Sequence, residues 1–223
     1  MGLYMDKLFA IFDMDGTLTD SMGYWHHLSE EYITGMGFAY SPEIMESTAH
    51  LTVLDTSALF VRHFGLPKTP EQAAAEINAL METHYRTDVP LKPGAREFLE
   101  RLRRAGVKMC VASSTSPDLI DICLRRLGVR DCFEFLLSCE EVNAGKDKPD
   151  VYLEAARRLG GTPQNTLVFE DVIFAARTAK SAGFRVVGIF DESSRNDQQA
   201  LRETADCYIT GWDDPALLSW LKL

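Results

Sequence analysis

The sequence predicts an α/β protein in which a parallel sheet is interrupted by an inserted helical domain. Three observations support this prediction. Short β-rich runs recur along the chain, helical patterns separate most of them, and residues 21–90 contain several helical stretches but no convincing strand. Alternation of strands and helices is typical of a parallel sheet covered by helices.

The β-rich runs mark five strands and one candidate edge strand. Ser116-Pro117 opens a helix that Gly128 ends, and Pro149 opens another that Gly160 ends. These helices lie between strands, as parallel pairing requires. The predicted strands are Leu8–Phe12, Val107–Ala112, Phe133–Ser138, Thr166–Phe169 and Arg185–Phe190, with Cys207–Thr210 at the edge.

The inserted segment has a helical pattern of its own. Trp25, Leu28, Tyr32 and Met36 recur at helical spacing, and residues 71–86 continue the pattern. The stretch "DVPLKPG", residues 88–94, supplies the proline and glycine for the return to the sheet. We therefore predict a helical domain over residues 21–90 and a sheet domain over residues 1–20 and 91–223.

Composition and charge exclude several classes of protein. The 223 residues are 46% hydrophobic, and no apolar run approaches the ~18 residues of a membrane helix. The N-terminus lacks the features of a signal peptide, and the net charge of −10 disfavours a general nucleic-acid-binding surface. Five cysteines without a Cys-x-x-Cys pair argue against a disulfide framework or a zinc site. We expect a cytoplasmic protein that binds neither membranes nor nucleic acid.

The stretch "FDMDGTLTD", residues 12–20, places two acidic side chains just after the first strand. An Asp-Gly pair is an ordinary turn signal, which accounts for Gly16 but not for Asp13 next to an apolar run. Carboxylates of Asp13 and Asp15 at the end of a buried strand repel each other and lose hydration, so they need a cation or a shared proton. A divalent metal ion is the simplest answer.

Other predicted strands are also followed by reactive or phosphate-binding groups. Ser113 follows "VKMCVA", Glu170 and Asp171 follow "TLVF", and Lys146 lies in the loop "NAGKDKPD". Ligands of open parallel sheets bind beyond the carboxyl ends of the strands. Phosphoryl transfer needs a nucleophile, positive charge around the phosphate and a proton donor. The residues predict Asp13 as nucleophile, Asp15 as acid and base, Asp13 and Asp171 as Mg²⁺ ligands, and Ser113 and Lys146 as phosphate ligands.

Four stretches in order, "DMDGT", "VASST", "GKDKPD" and "FEDV", resemble the motifs of the haloacid dehalogenase superfamily, especially its phosphatase and β-phosphoglucomutase-like branch. The resemblance covers nearly the whole chain. It implies a Rossmann-like core with a helical cap inserted after the first motif. It also implies hydrolysis of a small phosphorylated metabolite with Mg²⁺ as cofactor.

The resemblance implies a role for each matching residue. Asp13 corresponds to the nucleophile, and Asp15 to the acid and base that also binds Mg²⁺ through its main-chain oxygen. Ser113 and Lys146 correspond to phosphate ligands, and Asp171 to a metal ligand. The remaining candidates are Glu170 in or near the metal shell, and Gly16, Ser114 and Trp25 at the substrate.

Two details of the motifs qualify these assignments. Lys146 and Lys148 compete for one phosphate contact, and the spacing of Lys146 to Pro149 and Tyr152 resembles the family pattern "KPxPxxF". We therefore expect Lys148 to face solvent. Where relatives often carry a serine after the acidic pair, this chain has Val172, so we expect a hydroxyl to be missing beside the metal ligand.

The inserted domain leaves substrate identity open. Trp25 could belong to the helical core or close over a substrate, and we expect His26 and His27 to be exposed helix residues. Arg62 and His63 are further specificity candidates that also fit an ordinary surface. The sequence does not determine the oligomeric state, and a monomer is consistent with it.

Several functions compete with a phosphatase. A phosphosugar mutase is the nearest alternative, but the cap histidine that β-phosphoglucomutases place on the fifth residue after the position of Asp20 is replaced here by Trp25. Dehalogenases of this superfamily lack a second aspartate like Asp15. Phosphonatases use a cap lysine, and this chain has none between Lys7 and Lys68. A catalytically silent binding module is disfavoured because the acidic and basic motif residues are intact.

Overall fold

Six parallel strands form the sheet of the larger structural unit, which confirms the predicted α/β class. They lie side by side in the order third, second, first, fourth, fifth, sixth. Phe12 at the end of the first strand is level with Val111 of the second and Phe169 of the fourth, so the three carboxyl ends lie at one edge. The strands are β1 (Phe9–Phe12), β2 (Lys108–Ser113), β3 (Leu136–Ser138), β4 (Thr166–Glu170), β5 (Arg185–Ile189) and β6 (Cys207–Ile209).

The computed structural model describes residues 8–41, 43, 44, 48 and 51–221. Residues 1–7 and 222–223 of the predicted sheet domain lie outside this range. The described chain forms two compact units, one from the residues up to Asp20 and from Pro90 onward, the other from Ser21–Val89. Within the described ranges, every helix is too short or too polar to cross a bilayer.

The helices of the sheet unit follow the strands as the crossovers of a parallel sheet require. Pro117 starts the helix after β2, and Gly160, with a φ of 83°, ends the helix after β3. A final helix follows β6. In chain order, numbered after α1–α3 of the other unit, they are α4 (Ala95–Arg104), α5 (Pro117–Arg126), α6 (Asp150–Leu159), α7 (Ile173–Ser181), α8 (Gln198–Thr204) and α9 (Pro215–Leu221).

β3 is shorter than predicted. The expected strand over residues 133–138 begins only at Leu136. A 3-10 turn over Arg130–Cys132 precedes it, and the main-chain N–H of Phe133 donates to the carbonyl of Arg130 at 3.1 Å. The hydrogen-bonding group that would start the strand is therefore used to close the turn.

Aromatic side chains fill the sheet unit beneath the carboxyl end of β1. The rings of Phe12 and Phe169 stack with centroids 4.4 Å apart, and Trp212 packs against both. The indole N–H of Trp212 donates to the carbonyl of Thr17 at 3.2 Å, which satisfies its polar group inside the core. This contact fixes the loop that follows β1.

The unit Ser21–Val89 contains α1 (Met22–Gly35), α2 (Val53–Phe64) and α3 (Pro70–Thr87). The hydroxyl of Thr52 accepts from the N–H of Asp55 at the start of α2, and Thr69 and Gln72 form a reciprocal capping box before α3. Apolar side chains from α1, α2 and α3 are buried inside the unit, among them Leu28, Phe60, Ile77 and Met81.

Candidate active site

Three carboxylates lie together at the carboxyl edge of the sheet. Asp13 follows β1, Glu170 ends β4, and Asp171 comes next in the chain. They are 6%, 1% and 1% exposed, and one carboxylate oxygen of each lies within 4.8 Å of the other two. Neighbouring parallel strands bring these side chains together because their carboxyl ends are level.

Lys146 reaches this cluster from the loop between β3 and α6. Its ammonium group donates to Asp13 Oδ1 and, at 2.7 Å, to Glu170 Oε1. Tyr152 on α6 donates to the same Glu170 oxygen at 2.7 Å. The lysine is 7% exposed, so one buried cation faces three buried carboxylates.

This imbalance changes the protonation of the cluster. Burial raises the pKa of Asp13 to about 7, against the attraction of Lys146. Burial, together with the negative charges of Asp13 and Glu170, raises the pKa of Asp171 well above its ordinary value. Burial opposes the charge of Lys146, but the two carboxylates outweigh it and raise its pKa. With all three carboxylates ionised the cluster would carry more negative charge than its burial tolerates, so it takes up protons or a further cation.

Asp171 offers an oxygen to such a cation. Its Oδ1 accepts a hydrogen bond from the hydroxyl of Thr17 at 2.8 Å. Its Oδ2 is buried and has no hydrogen-bond partner among the described residues. Buried polar atoms are usually satisfied, and carboxylate oxygens are the ligands that Mg²⁺ prefers. The donor set of Asp13, Glu170 and Asp171 thus fits a divalent metal ion.

The turn after β1 positions Asp15. Gly16 has a φ of 80°, which a residue with a side chain rarely adopts, and this lets the chain reverse. The carbonyl of Met14 then accepts the N–H groups of Leu18 and Thr19, each at 2.9 Å. Gly16 therefore has a clear role in shaping the backbone that carries Asp15.

Asp15 and Ser113 are linked by Thr115, the last residue of "VASST", for which the motif implies no role of its own. The hydroxyl of Thr115 donates to Asp15 Oδ2 at 2.8 Å, and its main-chain N–H donates to Ser113 Oγ at 3.1 Å. Ser113 is 2% exposed. The structure therefore joins the loops after β1 and β2 through one threonine.

The other predicted residues have different surroundings. Ser114 is exposed, and its hydroxyl donates to Cys139 Sγ at 3.8 Å. Lys148 is exposed as expected. In the helical unit, the indole N–H of Trp25 donates to the Tyr85 hydroxyl at 3.2 Å. The side chains of His26, His27, Arg62 and His63 are exposed.

The expectation that Asp171 lacks a neighbouring hydroxyl is wrong. Val172 supplies none, but Thr17 donates to the Asp171 carboxylate, and Ser194 Oγ donates to the Asp171 carbonyl at 3.1 Å. Gln198 donates to Ser194 Oγ at 2.6 Å and so holds it in place. Thr17 lies in the quoted "DMDGT" and could have been identified there, whereas Ser194 carries no motif signal.

The arrangement supports nucleophilic and acid–base chemistry on an anionic ligand. A buried carboxylate, a second carboxylate two residues later, a hydroxyl and a lysine converge on one edge of the sheet. These are the groups that phosphoryl transfer requires.

Comparison with known proteins identifies the family. The model of the haloacid dehalogenase-like hydrolases matches residues 9–183. A relative from Drosophila melanogaster named "Probable pseudouridine-5'-phosphatase" is 32% identical over 210 residues, 88% of this chain and 90% of the relative. "Phosphorylated carbohydrates phosphatase" from Thermotoga maritima is 27% identical over 195 residues, 87% of this chain and 89% of the relative.

A solved structure shares the fold along almost the whole chain. A "putative beta-phosphoglucomutase" from Thermotoga maritima superposes with a TM-score of 0.80 and 25% identity, over 94% of this chain and 97% of the other. The chain is therefore an enzyme of the haloacid dehalogenase-like hydrolase family, in its phosphatase and β-phosphoglucomutase-like branch.

Proposed function

We propose that this enzyme is a Mg²⁺-dependent phosphatase that hydrolyses a small phosphomonoester through a phosphorylated Asp13. One observation carries the proposal: Asp13 lies buried against Lys146 at the sheet edge, with Glu170 and Asp171 beside it. Glu170 is bonded to Lys146 and Tyr152, and Asp171 accepts from Thr17, so Asp13 is the carboxylate of the cluster that we assign as the nucleophile. Lys146 supplies positive charge for the phosphate group, and Glu170 and Asp171 supply carboxylate oxygens for a metal ion.

In the first half-reaction, Asp13 Oδ2 attacks phosphorus while the bond from phosphorus to the leaving oxygen breaks. Lys146 contacts the other oxygen, Oδ1, and can bind a phosphate oxygen from there. The Ser113 hydroxyl donates to another phosphate oxygen. Asp15 donates its proton to the leaving oxygen, which departs as an alcohol.

In the second half-reaction, the Asp15 carboxylate takes a proton from water as that water attacks the phosphorus. The bond between phosphorus and Asp13 Oδ2 breaks, and Asp13 is restored as a carboxylate. Inorganic phosphate leaves, and Asp15 is again protonated for the next cycle. The enzyme is thereby returned to its starting state, and the net change is hydrolysis of the phosphate ester to an alcohol and inorganic phosphate.

Asp13 and Asp171, with Glu170 beside them and the main-chain oxygen of Asp15, would hold the Mg²⁺. When bound, this ion offsets the negative charge that otherwise repels a phosphate dianion. Asp171 Oδ2, which has no hydrogen-bond partner in the described part of the chain, and the raised pKa values of Asp13 and Asp171 support this assignment.

The substrate class follows from chemistry that the relatives share. Their names refer to a pseudouridine 5'-phosphate and to phosphorylated carbohydrates. Both are phosphate esters of small hydroxylated molecules. We extend this class to the present enzyme, with Trp25 as the candidate substrate contact from the helical unit. Ser114 is the corresponding candidate in the sheet unit.

The first test measures turnover of 4-nitrophenyl phosphate with Mg²⁺, with EDTA, and after Mg²⁺ is restored. EDTA should abolish turnover and Mg²⁺ should restore it.

Asp13→Asn should lower kcat by about 10⁴-fold or more while folding is retained. The exposed Asp131→Asn is the matched control and should behave as wild type. Wild-type enzyme quenched with acid during turnover should carry a covalent phosphate that hydroxylamine removes, and Asp13→Asn should not. Full activity in EDTA would contradict the metal assignment.

A phosphosugar mutase is the second candidate, because the "putative beta-phosphoglucomutase" shares the fold. The indole of Trp25 is hydrogen-bonded to the Tyr85 hydroxyl, and it cannot shuttle protons at neutral pH as a histidine can. Water should therefore accept the phosphoryl group. With β-glucose 1-phosphate, released phosphate should equal the substrate consumed. Accumulation of glucose 6-phosphate faster than phosphate would favour the mutase.

A further inference from the structure

Thr115 contacts two proposed catalytic side chains at once. Its hydroxyl donates to Asp15 Oδ2, and its main-chain N–H donates to Ser113 Oγ. Thr115 is half-buried and lies 100 residues from Asp15 along the chain. It belongs to a polar run, residues 113–116, that also fits an ordinary helix start, so the sequence pattern does not distinguish it.

The hydroxyl contact has a consequence for Asp15. A protonated carboxyl group accepts hydrogen bonds mainly at its carbonyl oxygen, so donation from Thr115 to Oδ2 favours the proton on Oδ1. A general acid transfers its proton efficiently only when that proton points at the leaving oxygen. The threonine hydroxyl thus determines which Asp15 oxygen carries the transferable proton.

The main-chain contact has a separate consequence for Ser113. Its oxygen accepts from the N–H of Thr115, so the hydrogen of the serine hydroxyl is available to donate elsewhere. A substitution of the Thr115 side chain leaves this N–H in place. The two contacts can therefore be separated experimentally, because a side-chain variant removes only the one to Asp15.

We propose that Thr115 is a positioning residue that orients Asp15 for proton transfer to the leaving oxygen. The inference rests on the proposed function, in which Asp15 is the general acid. It predicts that loss of the Thr115 hydroxyl harms only substrates whose leaving oxygen needs a proton. A residue that merely supports the loop would harm every substrate equally.

The test compares phenyl phosphate with 4-nitrophenyl phosphate. Phenol has a pKa of about 10, like a tyrosine side chain, so its oxygen leaves poorly without a proton. The 4-nitrophenolate anion is a much better leaving group. The parameter measured is kcat/KM, which reports only the steps up to departure of the leaving group and excludes the shared hydrolysis of the phosphorylated enzyme.

Thr115→Val should lower kcat/KM for phenyl phosphate by about 10- to 100-fold and for 4-nitrophenyl phosphate by less than about threefold. Thr115→Ser restores a hydroxyl and should recover most of the loss. Thr115→Ala provides a second variant without a hydroxyl if valine disturbs the loop. Thr204→Val is the matched control, since its half-buried hydroxyl donates within its own helix, and it should match wild type on both substrates.

Asp15→Asn separates failure of this inference from failure of the proposed function. If Asp15→Asn is selective for phenyl phosphate but Thr115→Val is not, Asp15 is the acid and Thr115 does not position it. If Asp15→Asn shows no selectivity, the acid role of Asp15 is itself wrong. Equal losses on both substrates for Thr115→Val, or no rescue by Thr115→Ser, would overturn the inference.

Discussion

A lysine, a glutamate and a tyrosine form a hydrogen-bonded cluster in each of the two units. In the helical unit, Lys68 Nζ lies 2.6 Å from Glu76 Oε2, and the Tyr32 hydroxyl donates to the same oxygen at 2.6 Å. Glu76 is half exposed, with 49% of its side chain accessible. Lys68 lowers the pKa of Glu76, as an ordinary ion pair does.

The sheet unit repeats this pattern with a different charge balance. Lys146 and Tyr152 both contact Glu170 Oε1 at 2.7 Å, and Glu170 is 1% exposed. Here, however, the lysine also contacts Asp13, and Asp171 lies beside them. The pKa of Asp13 rises to about 7 because burial outweighs the attraction of its lysine.

We interpret the helical-unit cluster as a stabilising one and propose that the sheet-unit cluster is functional. A balanced, half-exposed pair satisfies its own charges and needs nothing further. A buried cluster with surplus negative charge is a poor way to stabilise a fold, because desolvation costs more than one lysine returns. Surplus charge of this kind is typical of a site that binds a cation or reacts.

The largest expected effect comes from breaking the sheet cluster at its lysine. Lys146→Ala should lower kcat/KM for 4-nitrophenyl phosphate by about 10²- to 10³-fold or more, because it removes the positive charge beside Asp13. Lys68→Ala removes the corresponding lysine of the helical unit and should leave kcat/KM near wild type. Lys148→Ala, two residues away and exposed, should do the same.

Melting temperatures measured on the same variants serve as the control for folding. Comparable losses of activity for Lys146→Ala and Lys68→Ala would remove the distinction between the two clusters. If Lys148→Ala lowers kcat/KM strongly and Lys146→Ala lowers it only slightly, Lys148 rather than Lys146 contacts the phosphate.

A second prediction concerns pH and the metal ion. Because the pKa values of Asp13 and Asp171 are raised in the folded protein, their protonated forms stabilise the metal-free enzyme at low pH. That stability is lost as pH rises from about 4 through about 7. Mg²⁺ competes with these protons, so it should raise the melting temperature more at about pH 8 than at about pH 5.

Calorimetry with and without Mg²⁺ measures this difference without relying on activity. Each kcal/mol of binding free energy shifts the melting temperature of a chain of this size by about 2–4 °C. Asp13→Asn should lose most of the Mg²⁺ effect, and Asp131→Asn should keep it. An effect of Mg²⁺ that is equal at both pH values, or larger at the lower one, contradicts the proposed coupling.

The sheet could be predicted because its signals are local. Apolar runs such as Leu8–Phe12 and the glycine and proline boundaries lie within short windows, and strand pairing follows from their alternation with helices. The start of β3 was misplaced because Phe133 has the composition of a strand residue. Its N–H is nevertheless used by the preceding turn, which composition does not reveal.

The site was predictable only where its chemistry coincides with a motif. Asp13 and Asp171 stand out because acidic residues directly after apolar strands need an explanation. Thr115 and Tyr152 lie within quoted motif patterns that give their side chains no role, and Ser194 lies in no motif. Their partners lie 100, 23 and 18 residues away along the chain, so only the folded backbone brings them together.

The smallest expected effect comes from removing the tyrosine hydroxyl of each cluster, Tyr152 in the sheet unit and Tyr32 in the helical unit. Tyr152→Phe removes one hydrogen bond from the buried Glu170 carboxylate, where water cannot replace it, and should cost about 1.5–3 kcal/mol of unfolding free energy. Tyr32→Phe removes the same bond from the half-exposed Glu76, where water can replace it, and should cost less than about 1 kcal/mol. Calorimetric melting in Mg²⁺-free buffer measures both. Equal losses would mean that burial does not distinguish the clusters, and a larger loss for Tyr32→Phe would reverse their assigned order.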